Sequence, residues 1–181
     1  DCFETAIQLC PIFENAYRQK GEILLGLGKF LEALHCFERL IHLNPQCSLA
    51  HSRKGQALLG LGRTIDAFNS YEQALRFNPN EVLAYHGKGL CFKALKKYPE
   101  AIKFLDKAIQ LSPKNVEFHK TKAYILFLMK KYNDSVFSYA KAIELNPKDF
   151  LLQYNCGLAL ASAGRREEAV DFYKQTIQLN P

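Results

Sequence analysis

Tryptophan is absent from this 181-residue chain and methionine occurs once. No apolar run approaches the roughly 18 residues of a membrane span; the longest, Tyr124 to Met129, is short and sits between lysines. The first residues, DCFETAIQLC, lack the basic and apolar regions of a signal peptide, although a leader could have stood upstream. Six cysteines are scattered without a C-x-x-C pair, and five histidines include no H-E-x-x-H, so neither spacing supports zinc. A disulfide framework serves small domains that cannot build a core, and this chain can build one. Buried, reduced thiols in the cytoplasm or nucleus are the expectation. With 48% hydrophobic and 23% charged residues, the composition is that of a folded globular chain.

What is abundant is repetition. Prolines 11, 45, 79, 113, 147 and 181 are each 34 residues apart, and each closes a similar tag: QLCP, HLNP, RFNP, QLSP, ELNP, QLNP. Only Pro99 stands outside the series. A strict period of this length denotes stacked supersecondary units, none able to bury its apolar face alone. The period also decides how to read LLGLGKF at Leu24 to Phe30. Two glycines before a lysine suggest a phosphate-binding loop, but Phe30 stands where magnesium would require a hydroxyl, and LLGLGRT recurs at Leu58 to Thr64. The segment is a structural turn copied from unit to unit.

Five units start at Glu14, Ser48, Val82, Val116 and Phe150. They occupy residues 14–47, 48–81, 82–115, 116–149 and 150–181, after a fragment 1–13 that matches only a second helix. Place 8 of the units reads Gly21, Gly55, Gly89, Ala123, Gly157, and place 20 reads Ala33, Ala67, Ala101, Ser135, Ala169. Small residues in both columns suit two helices crossing closely. Place 24 is large in every unit (Phe37, Tyr71, Leu105, Tyr139, Tyr173), a knob between neighbouring units. Each unit therefore predicts helix, turn, helix. Gly28, Gly62 and Gly164 fall where the first helix must end, and the Asn-Pro or Ser-Pro tag ends the second.

These columns resemble the tetratricopeptide repeat (TPR) family over essentially the whole chain. The resemblance implies an all-α, right-handed α-solenoid of stacked antiparallel helix pairs in 34-residue units. Two departures stand out: place 4 is Tyr17, His51, Tyr85, His119, Gln153 with no tryptophan, and place 7 is Lys20, Lys54, Lys88, Lys122, Cys156 where an aliphatic residue is common. Lysine stems can cover apolar surface while their ammonium groups reach water. Both ends look like cuts, so an excerpt of a larger protein is expected, with Val170, Tyr173 and Ile177 facing whatever follows or another chain, and with self-association through the open ends as one outcome.

Proteins resembling this family bind a peptide or helix on the concave face of the first helices, which implies a protein-interaction scaffold or adaptor. Carried over place by place, the partner-binding groove comprises Arg18, Arg53, Gln56, His86, Leu90, Lys93, Lys120, Tyr124, Phe127, Tyr154 and Asn155. Leu83 and Leu158 extend its apolar strip, and Ser52, Gly87 and Thr121 fall in the same columns. Leu90 and Leu158 fit equally well as contacts between neighbouring first helices. Apolar residues beside cations suit an amphipathic, partly acidic segment. The two-carboxylate clamp of chaperone adaptors is not expected, since its places hold Arg18 and Glu22, Arg53, and Leu83 and Gly87. An asparagine ladder is represented only by Asn155.

No catalytic constellation and no cofactor is expected: Glu167 and Glu168 lie in a helix-starting cluster, and His35 and Cys36 are helix neighbours that point apart. Charge is uneven within a formal net +6. Lysines concentrate in 82–115 and continue through Lys120, Lys122, Lys130 and Lys131, and a basic residue follows every first helix: Lys29, Arg63, Lys97, Lys131, Arg165. An RNA-binding repeat using the basic patch of units three and four is therefore an alternative, although no recurring polar code per unit appears. A regulatory or substrate-recruiting segment of a larger enzyme is another. No membrane contact is expected.

Overall fold

A computed structural model describes residues 11–179, and the described residues contain ten helices and no strand. They are α1 (Pro11–Gly26), α2 (Phe30–Leu43), α3 (Ser48–Gly60), α4 (Thr64–Phe77), α5 (Val82–Ala94), α6 (Tyr98–Leu111), α7 (Val116–Leu128), α8 (Tyr132–Leu145), α9 (Phe150–Ser162) and α10 (Arg166–Leu179). None of these is long and apolar enough to cross a membrane. The expected second-helix fragment, residues 1–13, lies outside the described residues as far as residue 10. α1 covers the described residues from Pro11 to Gly26.

The described residues group into two compact units, one up to Ala94 and one from Leu95. In the first, α2 packs on α1, α3 on α2, α4 on α3 and α5 on α4; in the second, α7 packs on α6, α8 on α7, α9 on α8 and α10 on α9. Each unit has its own core. Leu34, Phe37, Leu58 and Tyr71 anchor one, and Tyr139, Leu152, Cys156 and Leu160 the other.

The small columns are close contacts. A Cβ on Gly21 would come within 2.7 Å of the Phe37 ring and one on Gly55 within 2.8 Å of Tyr71. The rings fill the space that side chains at these places would need. Where place 20 is Ser135, its buried hydroxyl donates to the carbonyl of Ala123, the facing place 8, at 2.8 Å.

The turns repeat as well. Lys29 and Arg63 N–H groups donate to Leu24 and Leu58 carbonyls at 2.9 Å, and Gly28 and Gly62 to Leu25 and Leu59, the paired bonds that close a helix C-terminus. The residue between must take positive φ: 72° at Gly28, 76° at Gly62 and 82° at Gly164. The same place holds Lys96 (58°) and Lys130 (59°), which adopt the left-handed conformation without glycine's freedom. At the other end of each unit, Asn44 and Asn78 are extended because proline follows, and their side chains accept the N–H groups of Gln46 and Asn80.

Candidate functional site

First helices α1, α3 and α5 belong to the first unit, α7 and α9 to the second. Arg18 lies on α1, Arg53 and Gln56 on α3, and His86, Leu90 and Lys93 on α5. Lys120, Tyr124 and Phe127 lie on α7, and Tyr154 and Asn155 on α9. Side chains from the predicted columns do not all reach solvent. Ser52, Gly87 and Thr121 are buried, which corrects their assignment to the groove. The cause at Gly87 is the Tyr71 ring of the preceding repeat, which rests where a Cβ would stand. Leu90 and Leu158 are half-buried.

The cations of this face are engaged. Arg53 donates from Nη1 to Gln56 Oε1 at 3.0 Å and from Nη2 to Glu22 Oε1 at 3.5 Å, joining α3 to α1. Arg18 bonds Asn15 at 2.6 Å, and Lys120 pairs with Glu117 at 2.6 Å. These are surface pairs of about 0.2–1 kcal/mol each, so an incoming carboxylate can compete for the lysine or arginine.

The apolar component is concentrated on α7 and α9. Tyr124 is 46% exposed and Tyr154 44%, beside an exposed Leu151. Tyr154 leans on Tyr173 of α10 with centroids 6.0 Å apart, and Tyr124 and Cys156 both act on the buried Tyr139 phenol, whose pKa burial pushes well up. Phe127 sits deeper than its column suggests: it packs against the second core and meets Tyr132 edge to face at 5.4 Å. The exposed aromatic side chains of α7 and α9 are therefore Tyr124 and Tyr154, while Phe127 packs into the second core.

Three structural devices were not read from the sequence. Place 4 is an anchor: His51 Nε2–H donates to the Pro45 carbonyl at 2.9 Å, Tyr85 Oη–H to Pro79 at 3.1 Å, and His119 Nε2–H to Pro113 at 2.8 Å. Place 7 forms an inter-repeat ladder with place 25 of the preceding repeat. Lys54 pairs with Glu38 at 3.0 Å, Lys88 with Glu72 at 3.0 Å, and Lys122 with Asp106 at 2.6 Å. Lys88 is buried, its ammonium 4.3 Å from the centroid of Phe68. At the last junction both partners change together, to Ala140 and a buried Cys156. The third device concerns the basic residues that follow each first helix. Lys29 pairs with Glu32 at 3.8 Å, Arg63 with Asp66 at 2.8 Å, and Arg165 with Glu168 at 2.7 Å. The Arg165 bond holds the Glu168 carboxyl below its ordinary range. These carboxylates also sit in first turns, where a helix favours negative charge.

Among the described residues no cluster of three potential ligands could hold a metal ion. Cys91 and Cys156 are fully buried, and burial raises both thiols to about 11. Such thiols are poor nucleophiles and packing elements of their cores.

Tetratricopeptide repeat profiles match residues 18–68, 82–115 and 152–181, and a TPR repeat profile matches 123–164. No curated protein matches the chain in sequence. Among solved structures, MamA 41-end from Desulfovibrio magneticus RS-1 superposes with a TM-score of 0.77 at 18% identity, over 92% of this chain and 94% of that one. Another MamA structure gives 0.75 at 21% identity, over 88% and 93%. YrrB, described as a TPR protein with an unusual peptide-binding site, gives 0.71 at 19% identity over 100% and 93%.

Proposed function

The chain belongs to the tetratricopeptide repeat family, and on that premise we propose that it binds a segment of a partner protein on its first-helix faces and performs no catalysis itself. The observation that carries this reading is the exposure of Tyr124 and Tyr154 on α7 and α9, whose other faces are built into the second core. Exposed aromatic side chains on helices anchored in a core serve recognition of apolar groups. Lys120, held by a surface carboxylate it can exchange, adds a preference for an acidic group beside them. Asn155 on α9 supplies an amide for the partner backbone. In the first unit, Arg18, Arg53, Gln56, His86, Leu90 and Lys93 offer a more polar first-helix face. A peptide-binding site in YrrB, a similar fold, is consistent with a peptide ligand. A reducing compartment is our inference from the buried thiols.

Affinity purification from nuclease-treated lysate tests the proposal, comparing the wild-type chain with a Tyr124→Ala, Tyr154→Ala, Lys120→Glu variant of unchanged circular dichroism. Discrete proteins lost from the variant support it. Equal recovery, or recovery only of nucleic acid before nuclease, overturns it.

A further inference from the structure

The turn inside each repeat carries a recurring charge pattern. Place 16 is basic (Lys29, Arg63, Lys97, Lys131, Arg165) and place 19 acidic (Glu32, Asp66, Glu100, Asp134, Glu168), so these two places cancel in every repeat. Place 15 breaks the balance. It is glycine in repeats one, two and five and lysine in repeats three and four, where Lys96 and Lys130 take φ of 58° and 59°. Counted over places 15 to 19, repeats one, two and five are neutral, and repeats three and four each carry one positive charge, that of Lys96 and of Lys130. A left-handed backbone costs a residue with a Cβ free energy that glycine avoids. The residue that strains the turn is therefore the one that charges it. Strain kept where glycine would serve is a sign that the side chain is used.

Lys96, Lys97, Lys130 and Lys131 all belong to the second compact unit and are all exposed. Among the described residues none of their ammonium groups has a hydrogen bond or an ion pair, whereas Lys29, Arg63 and Arg165 are held by their own place 19 carboxylates. Beside Lys130 and Lys131 an open cleft of about 410 Å³ reaches Ser162 and Ala163 at the end of α9, room for an incoming side chain next to the surplus charge. The ligand is an anion, and the neighbouring rings decide its kind. Tyr98 and Tyr132, which adjoin the lysine pairs, are half-buried, and Tyr132 is engaged by Phe127, so these two turns offer no exposed ring on which a nucleic-acid base stacks. Two surplus charges are also few beside the phosphate contacts that nucleic-acid binding takes. We infer that the turn edge of repeats three and four binds an extended acidic segment of a partner protein, whose carboxylates pair with Lys96 and Lys130. This surface is the turn edge, not the first-helix faces, and it does not depend on their ligand.

The probe is a fluorescein-labelled peptide alternating glutamate and serine, titrated into the 181-residue chain at about 0.15 M salt. Its comparators are the same peptide with glutamine for glutamate and a single-stranded oligothymidylate of equal charge. Lys96→Gly with Lys130→Gly removes the surplus charge and relaxes the backbone, so a loss of binding is not a loss of fold; Lys96→Asn with Lys130→Asn, another residue that accepts this conformation, must reproduce it. Lys96→Arg with Lys130→Arg keeps the charge. Lys114→Gln with Lys148→Gln removes as much charge from the exposed lysines that follow Pro113 and Pro147. Saturable binding of the glutamate peptide is expected, weakened about fivefold in the glycine and asparagine variants and changed less than about twofold in the other two, with the thermal midpoint of the glycine variant unchanged or higher. Absence of saturable binding, equal binding of the glutamine peptide, or full binding by the glycine or asparagine variant overturns the proposal. An equal loss in the Lys114, Lys148 variant would reduce the effect to net charge and overturn it. Tighter binding of the oligothymidylate than of the peptide would make the edge a nucleic-acid surface and overturn it equally.

Discussion

Lys96 and Lys130 occupy the left-handed turn position that three other repeats give to glycine, with φ of 58° and 59°. A non-glycine residue there costs about 1 kcal/mol or more. Replacing either by glycine is expected to stabilise the chain by about 1 kcal/mol, read as a rise of about 2–4 °C in the thermal midpoint. A fall would show that the lysine side chain contributes more than its backbone costs. The buried thiols give a second residue-level expectation. Cys91 and Cys156 rise in the folded state from an ordinary 9.0 to about 11, so native protein holds their protons where the unfolded chain releases them. That stabilisation is complete below pH 9 and is lost as pH climbs towards 11. Urea midpoints measured at pH 8, 9.5 and 10.5 should fall in that order, and Cys91→Ala with Cys156→Ala should flatten the decline. The turn glycines were plain in the sequence. That lysine takes the same conformation was not, because the demand is set by the bonds closing the first helix and a lysine that meets it looks like any other lysine.

At the scale of the helix pair, two kinds of column had different legibility. Places 8, 20 and 24 could be read because small and large residues recur, and the rings of Phe37 and Tyr71 lie against the glycines as the pattern requires. The lysine ladder was missed because Lys54 and Glu38 are sixteen residues apart and belong to different repeats, so no single unit displays the pair. Place 4 was unexplained by sequence since histidine and tyrosine look unrelated until both are seen donating to a proline carbonyl six residues earlier. Gly87 connects the two kinds: it was assigned to the groove by column, and the Tyr71 ring claims its space. Gly87→Ala is expected to lower stability by about 1–3 kcal/mol through overpacking, whereas Gly26→Ala, with nothing near its missing Cβ, is expected to be neutral or stabilising. Chemical denaturation of the two variants compares them directly. A Lys54 and Glu38 double-mutant cycle should return a coupling of about 0.2–1 kcal/mol, and zero coupling would reduce the ladder to lysine stems covering apolar surface.

For the molecule as a whole, repetition both reveals the fold and obscures the function. The period identifies helix pairs over the full length because every unit must satisfy its neighbours in the same way. Partner recognition needs the units to differ, and the proposed site lies where they do: Tyr124 and Tyr154 have no aromatic counterparts at the matching places of most other repeats. Charge also distinguishes regions, yet ion pairs along the turn edge and between repeats absorb several of the cations that the sequence alone presents as a basic surface. The first-helix faces are where we propose that the partner binds. The most direct test places a photo-crosslinking amino acid at Tyr124, at Tyr154, or at Phe137, an exposed ring on the second helix α8, and identifies the adducts formed in cells. Discrete protein adducts from positions 124 and 154 and none from 137 are predicted. Adducts confined to position 137, or the same set from all three, would contradict the claim.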